Sequence, residues 1–292
     1  MLRYALRRVL WAIPTLLATS LVLFFVTTLA PDPVTPQEDP GFGSAMPSGL
    51  IEARRTRFLD LPRFFNSRPQ DVRSRAYKAV EHIAADDAER GRSARELRVL
   101  GGAALPYVLP LLESLAPDSR ARVAIALAPL AARMHLADER ELQDPPTAVL
   151  FWTHVWDNRA LDFARSAVER AVRRLVEHGS DLREGDLVAL DTFALPEVLR
   201  AMTSTSDLPT LQRLTRVANH CTERGPVLDA AADDDAARRA VADWQEWWFV
   251  HASHFTALDG AARALAMVAE TRYGKWLKRA SSGELGVSAV DG

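Results

Sequence analysis

From Val9 to Ala30 the chain reads VLWAIPTLLATSLVLFFVTTLA, without one charged side chain and with only Thr15, Thr19, Ser20, Thr27 and Thr28 as polar ones. At about 1.5 Å per residue such a helix covers roughly 33 Å, enough to cross a hydrocarbon core of about 30 Å. Arg3, Arg7 and Arg8 stand directly before the run, whereas Asp32, Glu38 and Asp39 follow it and no basic residue returns before Arg54. This asymmetry predicts a cytoplasmic N-terminus, a transmembrane helix over 9–30 and a large body across the membrane.

Two other readings compete. A cleaved signal peptide also opens with arginines, but its apolar core is usually about 7–15 residues and ends at a small-residue cleavage site. Here the run is longer, and its one small-residue exit, Thr28-Leu29-Ala30, leads straight into Pro31. A buried core helix is the other rival. Pro14 frees a backbone carbonyl inside the run, which Thr15, Thr19 or neighbouring helices can relieve, so it favours a span built to sit in a bundle.

Beyond the run the residues favour helix throughout. Residues 1–8 form a basic cytoplasmic leader and 9–30 the span. Pro31 to Gly49 is rich in proline and glycine, so 31–66 reads as a linker. Within it Leu50–Phe58 reads as a short helix, and Phe64-Phe65 as an aromatic pair that packs on the body or meets the membrane surface. Residues 67–280 read as an α-helical periplasmic domain, and 281–292 as a closing segment. Ser67 with Gln70, and Ser93 with Glu96, have capping-box spacing. Asp118, Asp207 and Asp233 stand where helices start, while Gly101-Gly102 and Gly179 stand where they stop. One helix is expected from Asp118 through Met134 and one from Ala261 to Ala280. No run alternates β-branched residues, so the fold class is all-α: one N-terminal transmembrane helix, then an irregular helical array.

Charge and cysteine usage narrow the function. Lys plus Arg number 36 against 38 Asp plus Glu, a net charge of −2, with no basic block. That gives no footprint for nucleic acid. The single cysteine, Cys221, excludes an internal disulfide and reads as a core residue.

Two stretches carry a family resemblance. Leu2-Arg3-Tyr4-Ala5-Leu6-Arg7-Arg8, then Ile13-Pro14-Thr15-Leu16-Leu17, then Ala30-Pro31-Asp32-Pro33-Val34 together resemble the opening of the oligopeptide/dipeptide ABC-transporter permeases. Near the other end, Tyr273-Gly274-Lys275-Trp276-Leu277 and Gly283-Glu284-Leu285-Gly286-Val287-Ser288 resemble the segment before that family's second span, with Glu284 in place of the usual aspartate. The exit lacks the family's glycine, and a far longer connection separates the two matches than in common members. The second span, the later spans and the ATPase-coupling loop are expected to lie outside this sequence.

The resemblance implies a membrane subunit of a peptide-type importer in the bacterial inner (plasma) membrane. Its partners would be another permease subunit, ATPase subunits, a periplasmic solute-binding protein and the lipid bilayer. Separately, Leu97 to Met134, containing LGGAALPYVLPLLESLAPDSRARVAIALAPLA, resembles HEAT-type repeats, which are antiparallel helix pairs. No clean period near 40 residues continues downstream. The alternative to the permease is a single-span, membrane-anchored helical-repeat scaffold for protein–protein interaction.

No catalytic, cofactor or metal constellation is found. There is no glycine-rich phosphate loop, HExxH, paired-cysteine site or GxSxG. His251 and His254 supply half of a zinc site at most, His220-Cys221 carries no partner in sequence, and the chain is not expected to be an enzyme. The richest apolar set outside the span is Trp244, Trp247, Trp248, Phe249 and Phe255. Trp244, Trp247, Trp248 and His251 share one helix face, which is either core packing against Phe151, Trp152 and Trp156 or a protein-docking face. A membrane-interface belt is a third reading.

Overall fold

The computed structural model describes residues 2–29 and 56–281, and every regular element among them is helical. Contacts divide the chain into two compact units, Met1–Pro69 with Leu258–Gly292, and Gln70–Ala257. The body expected over 67–280 is therefore split. Its last two helices belong with the N-terminal segment because that segment is bonded to them. Asn66 N–H donates to Met267 O at 2.8 Å, Arg272 N–H to Pro62 O at 2.9 Å and Tyr273 N–H to Arg63 O at 3.0 Å. Part of the expected linker is thus a docked strap, and most of the expected helix Leu50–Phe58 lies outside the described residues.

In the first unit, helix α1 spans Leu2–Leu29 with Pro14 inside it. Thr15 and Thr19 hydroxyls donate back to Trp11, Ala12 and Thr15 carbonyls, the local relief that a proline in an apolar helix calls for. Ala30 lies outside the described residues. Among the described residues, no helix is long and apolar enough to cross a membrane.

The second unit reads as two successive copies of one helical pattern. Its first copy holds α2 (Val72–Ala85), α3 (Arg90–Leu100), a 3-10 turn at Gly101–Ala104, α4 (Leu105–Leu112), α5 (Pro117–Ala126), α6 (Ala128–Arg133) and α7 (Pro145–Arg159). The second holds α8 (Arg165–His178), α9 (Asp181–Val188), a 3-10 turn at Asp191–Ala194, α10 (Leu195–Ser204), α11 (Leu208–Thr222) and α12 (Asp234–Phe255). Each is two helix hairpins and a closing helix, with the last hairpin arm of the first copy broken into α5 and α6. Most buried positions match: Ala76, Ala79, Val80 and Ile83 on α2 correspond to Val168, Ala171, Val172 and Leu175 on α8, while buried Val72 has the exposed Ala164 as its counterpart. Likewise Leu105, Val108, Leu109 and Leu112 on α4 correspond to Leu195, Val198, Leu199 and Met202 on α10. Even the polar staples correspond. The Arg73 guanidinium lies 5.3 Å from the Tyr107 ring centre, while Arg165, its counterpart, meets Glu197, the counterpart of Tyr107, at 3.4 Å.

The copies meet at their 3-10 turns. Both turns open on a left-handed residue, Gly101 at φ 61° and Asp191 at φ 51°. Glycine takes that conformation freely, whereas a non-glycine residue there needs compensation. Asp191 has it. Its fully buried carboxylate accepts from Gly102 N at 2.8 Å and from Arg133 Nε and an Arg133 terminal nitrogen at 3.0 and 2.7 Å. Thr192 accepts from Ala103 N at 3.0 Å and donates to Leu100 O. The approach is so close that a Cβ on Gly102 would lie 2.1 Å from Leu190 O.

Several boundaries differ from the sequence reading. The first helix of the second unit is capped by Asp71, reciprocally with Ser74, and not by Ser67. Ser93 lies buried inside α3, which begins a turn earlier at Arg90. Asp118 falls in the first turn of α5 behind Ala116, and the helix expected through Met134 is two, re-started by Pro129. The expected final helix is also two, α13 (Gly260–Ala269) and α14 (Arg272–Ser281). The stops at Gly101 and Gly179 and the caps at Asp207 and Asp233 lie where the sequence places them.

Candidate functional site

The two segments that carry the family resemblance come together in the first unit. Phe24 of α1 is 4% exposed, under the rings of Phe64 at 5.4 Å, Tyr273 at 5.4 Å and Trp276 at 5.8 Å. The Ser20 hydroxyl and the Tyr273 phenol lie 2.8 Å apart. Tyr273 and Trp276, three apart on α14, stack at 6.2 Å and present one apolar face to α1. Phe65, beside Phe64, is 59% exposed.

Other positions of Tyr273-Gly274-Lys275-Trp276-Leu277 also have local work. A Cβ on Gly274 would lie 2.4 Å from Val268 O and 2.6 Å from Ala269 O, so glycine lets α14 start directly against the end of α13. Lys275 is 6% exposed, pairs with Glu270 at 2.9 Å and lies 5.8 Å over the Phe58 ring. Arg279 lies over the same ring at 4.7 Å. Arg272 Nε donates to Leu61 O at 3.0 Å, and another guanidinium N–H donates to Leu59 O. The strap is thus clamped from α14 by carbonyl and cation–π contacts.

Around this clamp the described side chains of α1 are largely bare. Trp11, Leu16, Leu21, Val22, Leu23, Phe25 and Val26 are 46–68% exposed, and Leu265 and Val268 of α13 are 69% and 51% exposed. Exposed apolar surface of that extent on one helix marks contact with lipid or protein.

The tryptophan face predicted from sequence divides. Trp244 is 1% exposed, with its indole N–H donating to Pro226 O at 2.9 Å. His251 is 6% exposed, its Nδ1 2.7 Å from Trp247 O, and it stacks on Trp247 at 4.6 Å. Trp247 and Trp248 are half-buried against the core, stacked with Phe255. Trp152 packs instead on Phe151 and donates to Ala124 O, and Trp156 meets Phe163. Of the four face residues, only Trp247 and Trp248 keep surface that a partner reaches.

The remaining candidates are built into the core. Cys221 is buried, and that burial, with Asp191 nearby, pushes its thiol well above the usual range, which disfavours a thiolate nucleophile. His220 bonds the Arg133 carbonyl at 2.7 Å and meets the His135 ring at 4.9 Å. His251 and His254 rings lie 5.8 Å apart, and among the described residues no group of three His, Cys, Asp or Glu could hold a metal.

Sequence reasoning missed Ser20, Phe24 and Phe64 as partners of Tyr273 and Trp276, and no local pattern announces a contact between such distant segments. The duplication did leave a signal. Leu100-Gly-Gly-Ala-Ala-Leu-Pro-Tyr-Val-Leu returns as Leu190-Asp-Thr-Phe-Ala-Leu-Pro-Glu-Val-Leu. Comparison with family models, curated proteins and solved structures finds no match for the chain.

Proposed function

We propose that the chain is the N-terminal part of a peptide-type ABC-importer permease subunit, with α1 crossing the inner membrane and the duplicated helical unit outside the cytoplasm. The observation that carries this reading is the clamp. The two segments resembling that family pack on each other through Phe24, Tyr273 and Trp276, while Trp11, Leu16, Leu21, Val22, Leu23, Phe25 and Val26 stay exposed. In this reading the HEAT-like unit docks a solute-binding protein, and Trp247 and Trp248 belong to the docking surface.

The duplication favours a second reading, the anchored scaffold, since repeated helix hairpins are a common form of protein-binding surface. Purification of the full chain from native membranes under mild detergent separates the two. The permease reading expects a second permease subunit and an ATPase in stoichiometric amount. Intact chain recovered without either overturns it in favour of the scaffold.

A further inference from the structure

The two copies diverge most usefully between their first two helices. In the first copy Arg75 on α2 bridges to Glu96 on α3 at 2.9 Å and closes the seam. Its counterpart on α8 is Ala167, and the counterpart of Arg95 is Gly185. Glu96 corresponds to Asp186, which turns to its neighbour Arg183 at 3.2 Å. Where the first copy has an ion pair the second has a cleft of about 440 Å³, within the range of small-ligand sites.

Four arginines line the cleft, Arg159, Arg170, Arg174 and Arg183, against two carboxylates. Those carboxylates are already engaged, Asp162 with Arg159 at 3.1 Å and Asp186 with Arg183. Arg170 and Arg174, one turn apart on α8, have no ion-pair or hydrogen-bond partner among the described residues. Like charges four apart destabilise a helix. The corresponding residues of the first copy are Lys78 and His82, and His82 is paired with Asp87 at 2.7 Å. Apart from Leu190, small residues, Ala167, Ala171, Gly185 and Ala189, make the rest of the wall and leave room for a ligand to reach both guanidinium forks.

We propose that this cleft binds a phosphate-bearing ligand, held between Arg170 and Arg174. A guanidinium presents paired N–H donors matched to phosphate oxygens, and a tetrahedral dianion has enough acceptors for two such forks. The phosphate belongs either to a soluble phosphate compound or to a lipid headgroup.

The test uses the full chain in nanodiscs, titrated with inorganic pyrophosphate, and in parallel in nanodiscs with and without phosphatidic acid, read by thermal shift. Arg170→Gln with Arg174→Gln is expected to weaken the response at least tenfold. Arg173→Gln, on the same helix but outside the cleft, is expected to change it less than twofold. Ala167→Arg restores the residue of the first copy. It adds positive charge yet is expected to abolish binding, because the new side chain fills the cleft and pairs with Asp186. A pyrophosphate response with this pattern assigns a soluble ligand, and a response confined to phosphatidic acid assigns a headgroup. No response in either arm overturns the proposal, as does equal weakening by Arg173→Gln or stronger binding in Ala167→Arg. Cooperative melting of the unliganded variants at or above the native midpoint separates loss of binding from loss of fold.

Discussion

The two copies of the helical unit share a core and differ in where they place charge. In the first, Arg75–Glu96 ties α2 to α3 across the seam, and Gly101 meets the left-handed turn position without a side chain. In the second, Asp191 occupies that turn and binds Arg133 and Gly102 of the first copy, while the α8–α9 seam is left open and basic. One copy invests its charge internally. The other spends one carboxylate on the joint between copies and leaves two arginines for something else.

The largest expected effect is at the joint. Asp191→Ala strands Arg133, whose side chain is 11% exposed, and should cost about 3–5 kcal/mol by denaturant unfolding. The double variant with Arg133→Ala should cost less than the sum of the singles, since no unpaired charge then remains. Gly102→Ala should cost about 1–3 kcal/mol, because its Cβ meets the rigid Leu190 carbonyl. An equal cost at Gly185, the glycine in the cleft wall, would undo the comparison. Nothing lies within 4 Å of a Cβ there, and Gly185→Ala should stabilise by up to about 1 kcal/mol through helix propensity.

Smaller effects sharpen the contrast. Arg75→Ala should cost up to about 1 kcal/mol, the range of a partly exposed ion pair, and Ala167→Arg should recover a similar amount in the second copy. The smallest effect is in acid. Asp144, capping α7, and Asp207, capping α11, are held below the usual carboxylate range by hydrogen bonds from Thr147 and Thr210. A depressed folded value means that the caps stabilise above the ordinary carboxylate pKa. Their contribution fades as pH falls through the lowered value. Asn at either position should flatten that acid limb.

Local rules made much of this fold legible. Asp207, Asp233, Gly101 and Gly179 are read correctly because each acts on its own helix end. Ser67 and Ser93 mislead for the same reason: spacing alone cannot show that Asp71 takes the cap, or that Ser93 is buried inside a turn already begun. The clamp of Phe24 with Tyr273 and Trp276 is not legible locally, because residues about 250 positions apart are joined only by packing. The duplication was legible but has a longer period than the two-helix repeat sought, since its unit is two hairpins and a closing helix. The open cleft follows from Ala167 and Gly185, which are informative only beside Arg75 and Arg95.

Membrane anchoring with the body outside the cytoplasm is the basis of the permease proposal, and cysteine labelling of intact cells tests it directly. Cys221 is 1% exposed and should stay silent, so the native chain supplies its own background. Leu161→Cys places a thiol at a position 86% exposed on the helical unit, and Arg3→Cys places one in the leader. With a membrane-impermeant maleimide, the account predicts labelling of Leu161→Cys on intact cells and of Arg3→Cys only after permeabilisation. Leu161→Cys protected until the cells are opened, or a chain released from the membrane by alkaline carbonate, would contradict it.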